Sequence, residues 1–231
     1  MMRLHDAIVQ PEHCGEGMQL EPDALCHALK QTLDLEVCVS LARAPLKADK
    51  LTSEENAQLA RLVHAPRRAV WLLGRAALKD LLAQLDLPAD TSGIAFPHPR
   101  LSLSHSEGCA IAIGTRDERV NGLGVDLELR DGPRPASMRF FLAPSERTWV
   151  QASPERSDRL LRLWTIKEAL YKSFAQNRDT SFRDYVLADP AADAGSAELA
   201  TAHHAQFSYA SFAIEGGFVS AARREDPRQI P

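Results

Sequence analysis

Apolar residues recur at three- and four-residue spacing at Leu163, Ile166, Leu170 and Phe174, inside a run from Glu155 to Gln176 that holds no Pro or Gly. At 100° per residue these positions fall on one narrow stripe, which predicts a helix with one buried face. Glu168 and Lys172 stand four apart on the nearly opposite face, in the orientation favoured for a solvated ion pair. Lys167 falls close to the edge of the apolar stripe, an uncommon place for an ammonium group. Upstream, Gly124-Val125-Asp126-Leu127-Glu128-Leu129 alternates strictly. That period predicts a strand with Val125, Leu127 and Leu129 on one side and Asp126 and Glu128 on the other.

The same reading places a short helix over Asp23–Leu33 and a strand over Leu35–Leu41. Thr52 and Glu55 form a capping box opening a helix to about Leu62. Pro66 opens a longer helix to about Leu85, where Trp71, Leu78, Leu81 and Leu85 form the apolar side. Ser106-Glu107-Gly108 reads as a turn into a strand from Cys109 to Ile113. Short helices are expected over Ala136–Leu142 and Ser145–Gln151, and strands over Phe182–Ala188, Gln206–Glu215 and Gly217–Arg223. The Ala-rich stretch Asp189–His204 carries little pattern and reads as a surface loop. Gly114 to Gly122 is polar and contains Asn121-Gly122, so it marks a seam. The chain thus divides into α+β halves, residues 1–117 and 118–231, with no sequence repeat between them.

Composition narrows the classes. With 45% hydrophobic and 25% charged residues the chain is that of an ordinary globular protein. A formal charge of -4 gives no support to nucleic-acid binding. No apolar run approaches a membrane span, and Met1-Met2-Arg3-Leu4-His5-Asp6 lacks a signal-peptide core, so a cytoplasmic protein is expected. Cys14, Cys26, Cys38 and Cys109 show no Cys-x-x-Cys spacing, and His13-Cys14 with Cys26-His27 fits no common zinc site. Reduced thiols are expected.

Two patterns carry candidate chemistry. Asp126 and Glu128, one pleat and roughly 7 Å apart, either form a solvated acidic face or share a cation. Arg68, Arg75 and Lys79 line up within about 40° of one another on the long helix. They form either a solvated basic face or a cradle for the phosphates of an anionic cofactor.

Gly124-Val125-Asp126-Leu127-Glu128 followed by Trp164-Thr165-Ile166-Lys167-Glu168-Ala169-Leu170-Tyr171-Lys172 resembles the paired signature of the 4'-phosphopantetheinyl transferases. Within that family the chain is most similar to the larger, monomeric, surfactin-type class. The likeness is closest from about Ser102 to Ser173. It implies two similar α+β halves related by pseudo-twofold symmetry, with the active site between them. It also implies transfer of phosphopantetheine from coenzyme A to a serine of an apo acyl or peptidyl carrier protein, releasing 3',5'-ADP. Asp126, Glu128 and Glu168 would then hold Mg²⁺, whose preference for oxygen ligands suits three carboxylates. Glu168, or a metal-bound water that it orients, would be the general base, and Lys172 would meet the departing phosphate. Lys167 would reach the pyrophosphate, and Asp126 would stand against it with the metal. Ser104-His105 matches the family's Ser-His motif, in which the histidine contacts the 3'-phosphate of coenzyme A, and Arg68 and Arg75 would add to that grip. The family's Gly-Lys-Pro turn is absent; His98-Pro99-Arg100 occupies its place.

Two other classes use the same residues. A Mg²⁺-dependent nucleotide pyrophosphate hydrolase would put water where the serine hydroxyl stands. A non-catalytic module binding coenzyme A or carrier proteins would need neither a metal nor an acid–base pair.

Overall fold

The computed structural model describes residues 19–129, 132–200 and 205–225. His13 and Cys14 of the zinc reading, the N-terminal segment and the end of the Asp189–His204 stretch lie outside those residues. Cys26, Cys38 and Cys109 are free thiols.

The first elements are built by local signals. Helix α1, Pro22–Leu33, starts on its proline and buries Leu25, Leu29 and Leu33, each one turn beyond the last. Strand β1 is Cys38–Ala42. Helix α2, Ser53–Ala60, carries the expected capping box: Thr52 Oγ1 accepts from Glu55 N at 3.2 Å, and Glu55 Oε2 accepts from Thr52 N at 2.9 Å. Helix α3 spans Ala65–Gln84. Strands β2, Leu101–Ser106, and β3, Cys109–Gly114, form a hairpin whose turn residues Glu107 and Gly108 take φ of 40° and 77°. Two successive positive φ values match the twist of the flanking strands, the reason such turns join hairpins. These strands make an antiparallel sheet in the order β1-β3-β2. Leu73, Ala77, Leu78 and Leu81 of α3 close one face of it against Leu101, Ala110 and Ala112.

The second sheet holds β4 (Leu123–Leu129), β5 (Tyr185–Leu187), β6 (Ala194–Leu199), β7 (Gln206–Ile214) and β8 (Gly217–Arg224). It is antiparallel throughout, in the order β4-β8-β7-β6-β5. Helices α4, Met138–Phe141, and α5, Pro144–Gln151, precede the long helix α6, Arg156–Lys172. The predicted stripe holds: Leu163, Ile166 and Leu170 are fully buried, with Phe174 beside them, against Tyr185, Phe207 and Tyr209. Burying each such aliphatic side chain stabilises the fold by about 1.5–3 kcal/mol.

Strand β6 corrects the surface-loop reading of Asp189–His204. Only Ala197 and Leu199 of this strand are buried, and the rest is exposed or half-exposed. A strand held mainly by backbone pairing to β5 and β7 leaves little apolar alternation in the sequence.

The chain is α+β, with a long helix on each of two antiparallel sheets of three and five strands. The sheets are not independent. Val39, Ile111 and Ile113 of the first share one core with Val125, Leu127 and Val219 of the second, under Leu25 and Leu29 of α1. No helix among the described residues is long and apolar enough to cross a membrane.

Candidate active site at the seam

Glycine sets how closely α6 approaches β4. A Cβ on Gly124 would lie 1.9 Å from the Ala169 carbonyl oxygen, and one on Gly122 would lie 2.1 Å from that of Ser173. No side chain fits either position, so the C-terminal turn of α6 lies directly against the start of β4. Alternation then turns Asp126, two residues on, toward the same helix end.

The contacts follow from that approach. Lys172 Nζ donates to Asp126 Oδ1 at 2.6 Å and to Ser104 Oγ at 3.2 Å. Ser104 Oγ donates to the same carboxylate oxygen at 2.7 Å. Glu168 Oε2 stands farther from Lys172, at 3.8 Å. The face of α6 that the sequence leaves for solvent is therefore largely covered, and its ammonium pairs with Asp126 on β4, and bonds Ser104 across the seam, before it pairs along the helix. Glu128 is held at both oxygens: Trp164 Nε1 donates to Oε1 at 3.1 Å and Ser106 Oγ to Oε2 at 3.2 Å.

The charges crowd one another. Burial pushes the Glu168 carboxyl up to about 7, and Asp126 and Glu128 add to the shift against the pull of Lys172. Burial likewise raises Glu128, opposed by its bond from Trp164. His105, next to Ser104 on β2, is exposed, yet partial loss of hydration and the Lys172 charge hold its pKa below the usual histidine value.

Asp126 Oδ2 is buried without a hydrogen-bond partner. An unpartnered buried carboxylate oxygen, beside two further carboxylates, is the donor chemistry a hard divalent cation takes. Among the described residues no three His, Cys, Asp or Glu side chains stand close enough to form a ready-made metal site. In this arrangement Lys172 supplies the positive charge at Asp126. Asp126, Glu128 and Glu168 fit Mg²⁺ by type and by shared surroundings rather than by preset ligand geometry.

Three residues singled out in the sequence do not join this cluster. Lys167 is fully buried on the far side of α6, where its ammonium bonds Glu146 Oε1 at 2.6 Å and the Tyr185 carbonyl. Its place at the stripe edge is a core place: Glu146, itself completely buried, supplies the compensating charge. It ties α5 to α6 and has no open path to a pyrophosphate. Arg68 is taken up locally, its Nη1 donating to the Leu59 and Leu62 carbonyls at 2.8 and 3.3 Å, where it closes the end of α2. Lys79 pairs with buried Glu55 at 2.8 Å. That leaves Arg75 from the basic stripe; its guanidinium lies 4.6 Å from the Trp71 ring centre, with Nε buried and unpartnered.

Two residues of the arrangement, Ser106 and Trp164, were not singled out as site residues from the sequence. Ser106 follows Ser104 at two-residue spacing, a strand-face repeat legible in the sequence. Trp164 packs edge-on against Phe141 and Phe182, as a core residue does, and its indole N–H also reaches Glu128. A cavity of about 630 Å³ opens at the Gly114 end of β3 and is lined by none of the predicted site residues.

Residues 122–222, which carry Asp126, Glu128, Glu168 and Lys172, match the family model of the 4'-phosphopantetheinyl transferase superfamily. The matched span contains β4 to β7, α6 and all but the last two residues of β8, and it supports phosphopantetheine transfer as the general chemistry. No curated protein matches the chain.

Proposed function

We propose that this protein is a Mg²⁺-dependent 4'-phosphopantetheinyl transferase of the larger, surfactin-type class. Its substrates are coenzyme A and a serine of an apo acyl or peptidyl carrier protein. The observation that carries the reading is the meeting of Lys172, Asp126 and Ser104 within hydrogen-bond distance, at a place shared with Glu128, Glu168 and His105.

In this reading the N-terminal half, residues 1–117, grips the phosphates of coenzyme A through His105 and Arg75. The C-terminal half, 118–231, carries the acids and Lys172. The serine oxygen bonds to the phosphorus bearing the pantetheine arm, and the bond from that phosphorus to the oxygen of the nucleotide side breaks. Glu168 takes the serine proton. Lys172 faces the charge that grows on the departing phosphate of 3',5'-ADP, a point charge on a flexible stem. Ser104 holds both Lys172 and Asp126 in place. Asp126, Glu128 and Glu168 would hold Mg²⁺, which when bound screens the pyrophosphate charge. Both sides of the site come from one chain, which supports a monomer.

Incubation with coenzyme A, Mg²⁺ and an apo carrier protein tests this by intact mass. The carrier is expected to gain one phosphopantetheine arm. Cleavage of coenzyme A with an unchanged carrier would instead mark a pyrophosphate hydrolase, and neither change would mark a binding module.

A further inference from the structure

Strand β4 is the outer strand of its sheet, so the amides on its free edge have no strand partner. Val125 and Leu127 are fully buried, and buried amides are costly unless they are bonded. Three hydroxyls on one face of β2 supply the bonds. Val125 N donates to Ser102 Oγ at 2.9 Å, Leu127 N to Ser104 Oγ at 3.3 Å and Leu129 N to Ser106 Oγ at 3.1 Å. The two strands are thereby stitched in fixed register, each serine taking the amide 23 residues further on.

Each hydroxyl has a proton left to give. Ser104 gives its own to Asp126 and Ser106 gives its own to Glu128, in both cases the side chain 22 residues further on. For Ser102 that residue is Gly124, which offers no acceptor. The three rungs thus share one mechanical task, while two of them also aim a carboxylate.

We propose that Ser106 is a positioning residue for Glu128. This rests on the metal-dependent reading given above. Trp164 fixes one oxygen of that carboxylate from α6, and Ser106 fixes the other from β2. A carboxylate held by two donors on different elements cannot swing, whereas one held by the indole alone pivots about that single bond. Groups that orient a metal ligand without touching the metal typically change its affinity by about 10- to 100-fold when removed.

Mg²⁺ affinity measured calorimetrically on the full chain, with coenzyme A present, tests the assignment. Ser106→Ala is expected to bind Mg²⁺ about 10-fold more weakly, while Ser106→Thr, which keeps the hydroxyl, returns close to wild type. Ser102→Ala removes a rung that aims nothing; it is expected to lower the melting temperature and to leave Mg²⁺ affinity unchanged. Ser106→Cys, nearly the same size but a poor donor, keeps the packing and should repeat the loss should the alanine variant not fold. Wild-type Mg²⁺ affinity in Ser106→Ala or Ser106→Cys overturns the proposal. Equal weakening by Ser102→Ala overturns it as well, because the stitch alone would then account for the effect. Absence of phosphopantetheine transfer by the wild type would sink the transferase reading instead, and the variants' Mg²⁺ affinities would still decide the role of Ser106.

Discussion

Lys172 lies 2.6 Å from Asp126, a residue on another element, and 3.8 Å from Glu168, its neighbour one helical turn back. Asp126 is 4% exposed at the side chain, so this ammonium is its main compensation. Replacing Lys172 with Met removes the charge and keeps most of the stem and helix propensity. Turnover is expected to fall by roughly 100-fold or more, the scale of losing one electrostatic stabiliser. Stability should fall too, by about 1–3 kcal/mol, since a buried carboxylate loses its charged donor. A surface pair along the helix would cost only about 0.2–0.5 kcal/mol. Single-turnover rates and thermal unfolding on one preparation separate the two accounts, and full-speed transfer by Lys172→Met ends the catalytic assignment.

Asp126→Ala and Glu168→Ala are each expected to abolish transfer. Neither side chain belongs to the apolar cores, so circular dichroism and melting should remain those of a folded protein. Glu168→Ala should melt no lower than wild type in the absence of metal, because it removes one of three mutually repelling carboxylates. Glu128→Ala should be milder in rate, as a water can take one position on Mg²⁺. Wild-type rates in either of the first two variants, at saturating coenzyme A and Mg²⁺, would refute the site.

The elements of the fold were largely legible in the sequence, and the contacts between them were not. Leu163, Ile166 and Leu170 announce α6 because one helix face meets one core. Thr52 and Glu55 announce α2 because a capping box is complete within four residues. Lys167 shows the limit: its partner Glu146 sits on another helix, and no local pattern says that a charge at the stripe edge turns inward. The same holds for the closeness of Asp126 to Lys172, which depends on Gly124 lying under Ala169. Strand β6 escaped notice because neighbouring backbones hold it, leaving only Ala197 and Leu199 to mark its inner face.

His105 and Arg75 are the candidates for the phosphates of coenzyme A. Alanine at whichever residue meets the 3'-phosphate should weaken coenzyme A binding and leave dephospho-coenzyme A binding nearly unchanged. Calorimetric titration with both ligands reads this directly. Equal losses for both would place the contact elsewhere on the cofactor, and no loss would remove the residue from the site.

A pH dependence of stability is expected from Glu55. Burial raises this carboxyl, but Lys79, the Thr91 hydroxyl and the Thr52 and Thr91 amides outweigh it and bring its pKa from 4.5 down to about 2. The folded state therefore holds its proton less tightly than the unfolded chain. The resulting stability is present above about pH 4.5 and is lost as pH falls through about 2. Glu55→Gln should melt lower than wild type at neutral pH and should lose less of its stability between those two pH values. Parallel acid-melting curves for the two proteins would refute the assignment.

The serine stitch also bears on solution behaviour. A strand edge with bare amides is a template on which another chain can add a strand. Here hydroxyls from β2 occupy that edge, and the apolar flank of Val125, Leu127 and Val219 is covered by β3 and α1. Cutting the chain ahead of Gly122 would uncover both at once. The segment matching the transferase superfamily, produced alone, should therefore self-associate, and its acidic pair would be presented on an edge open to any passing strand.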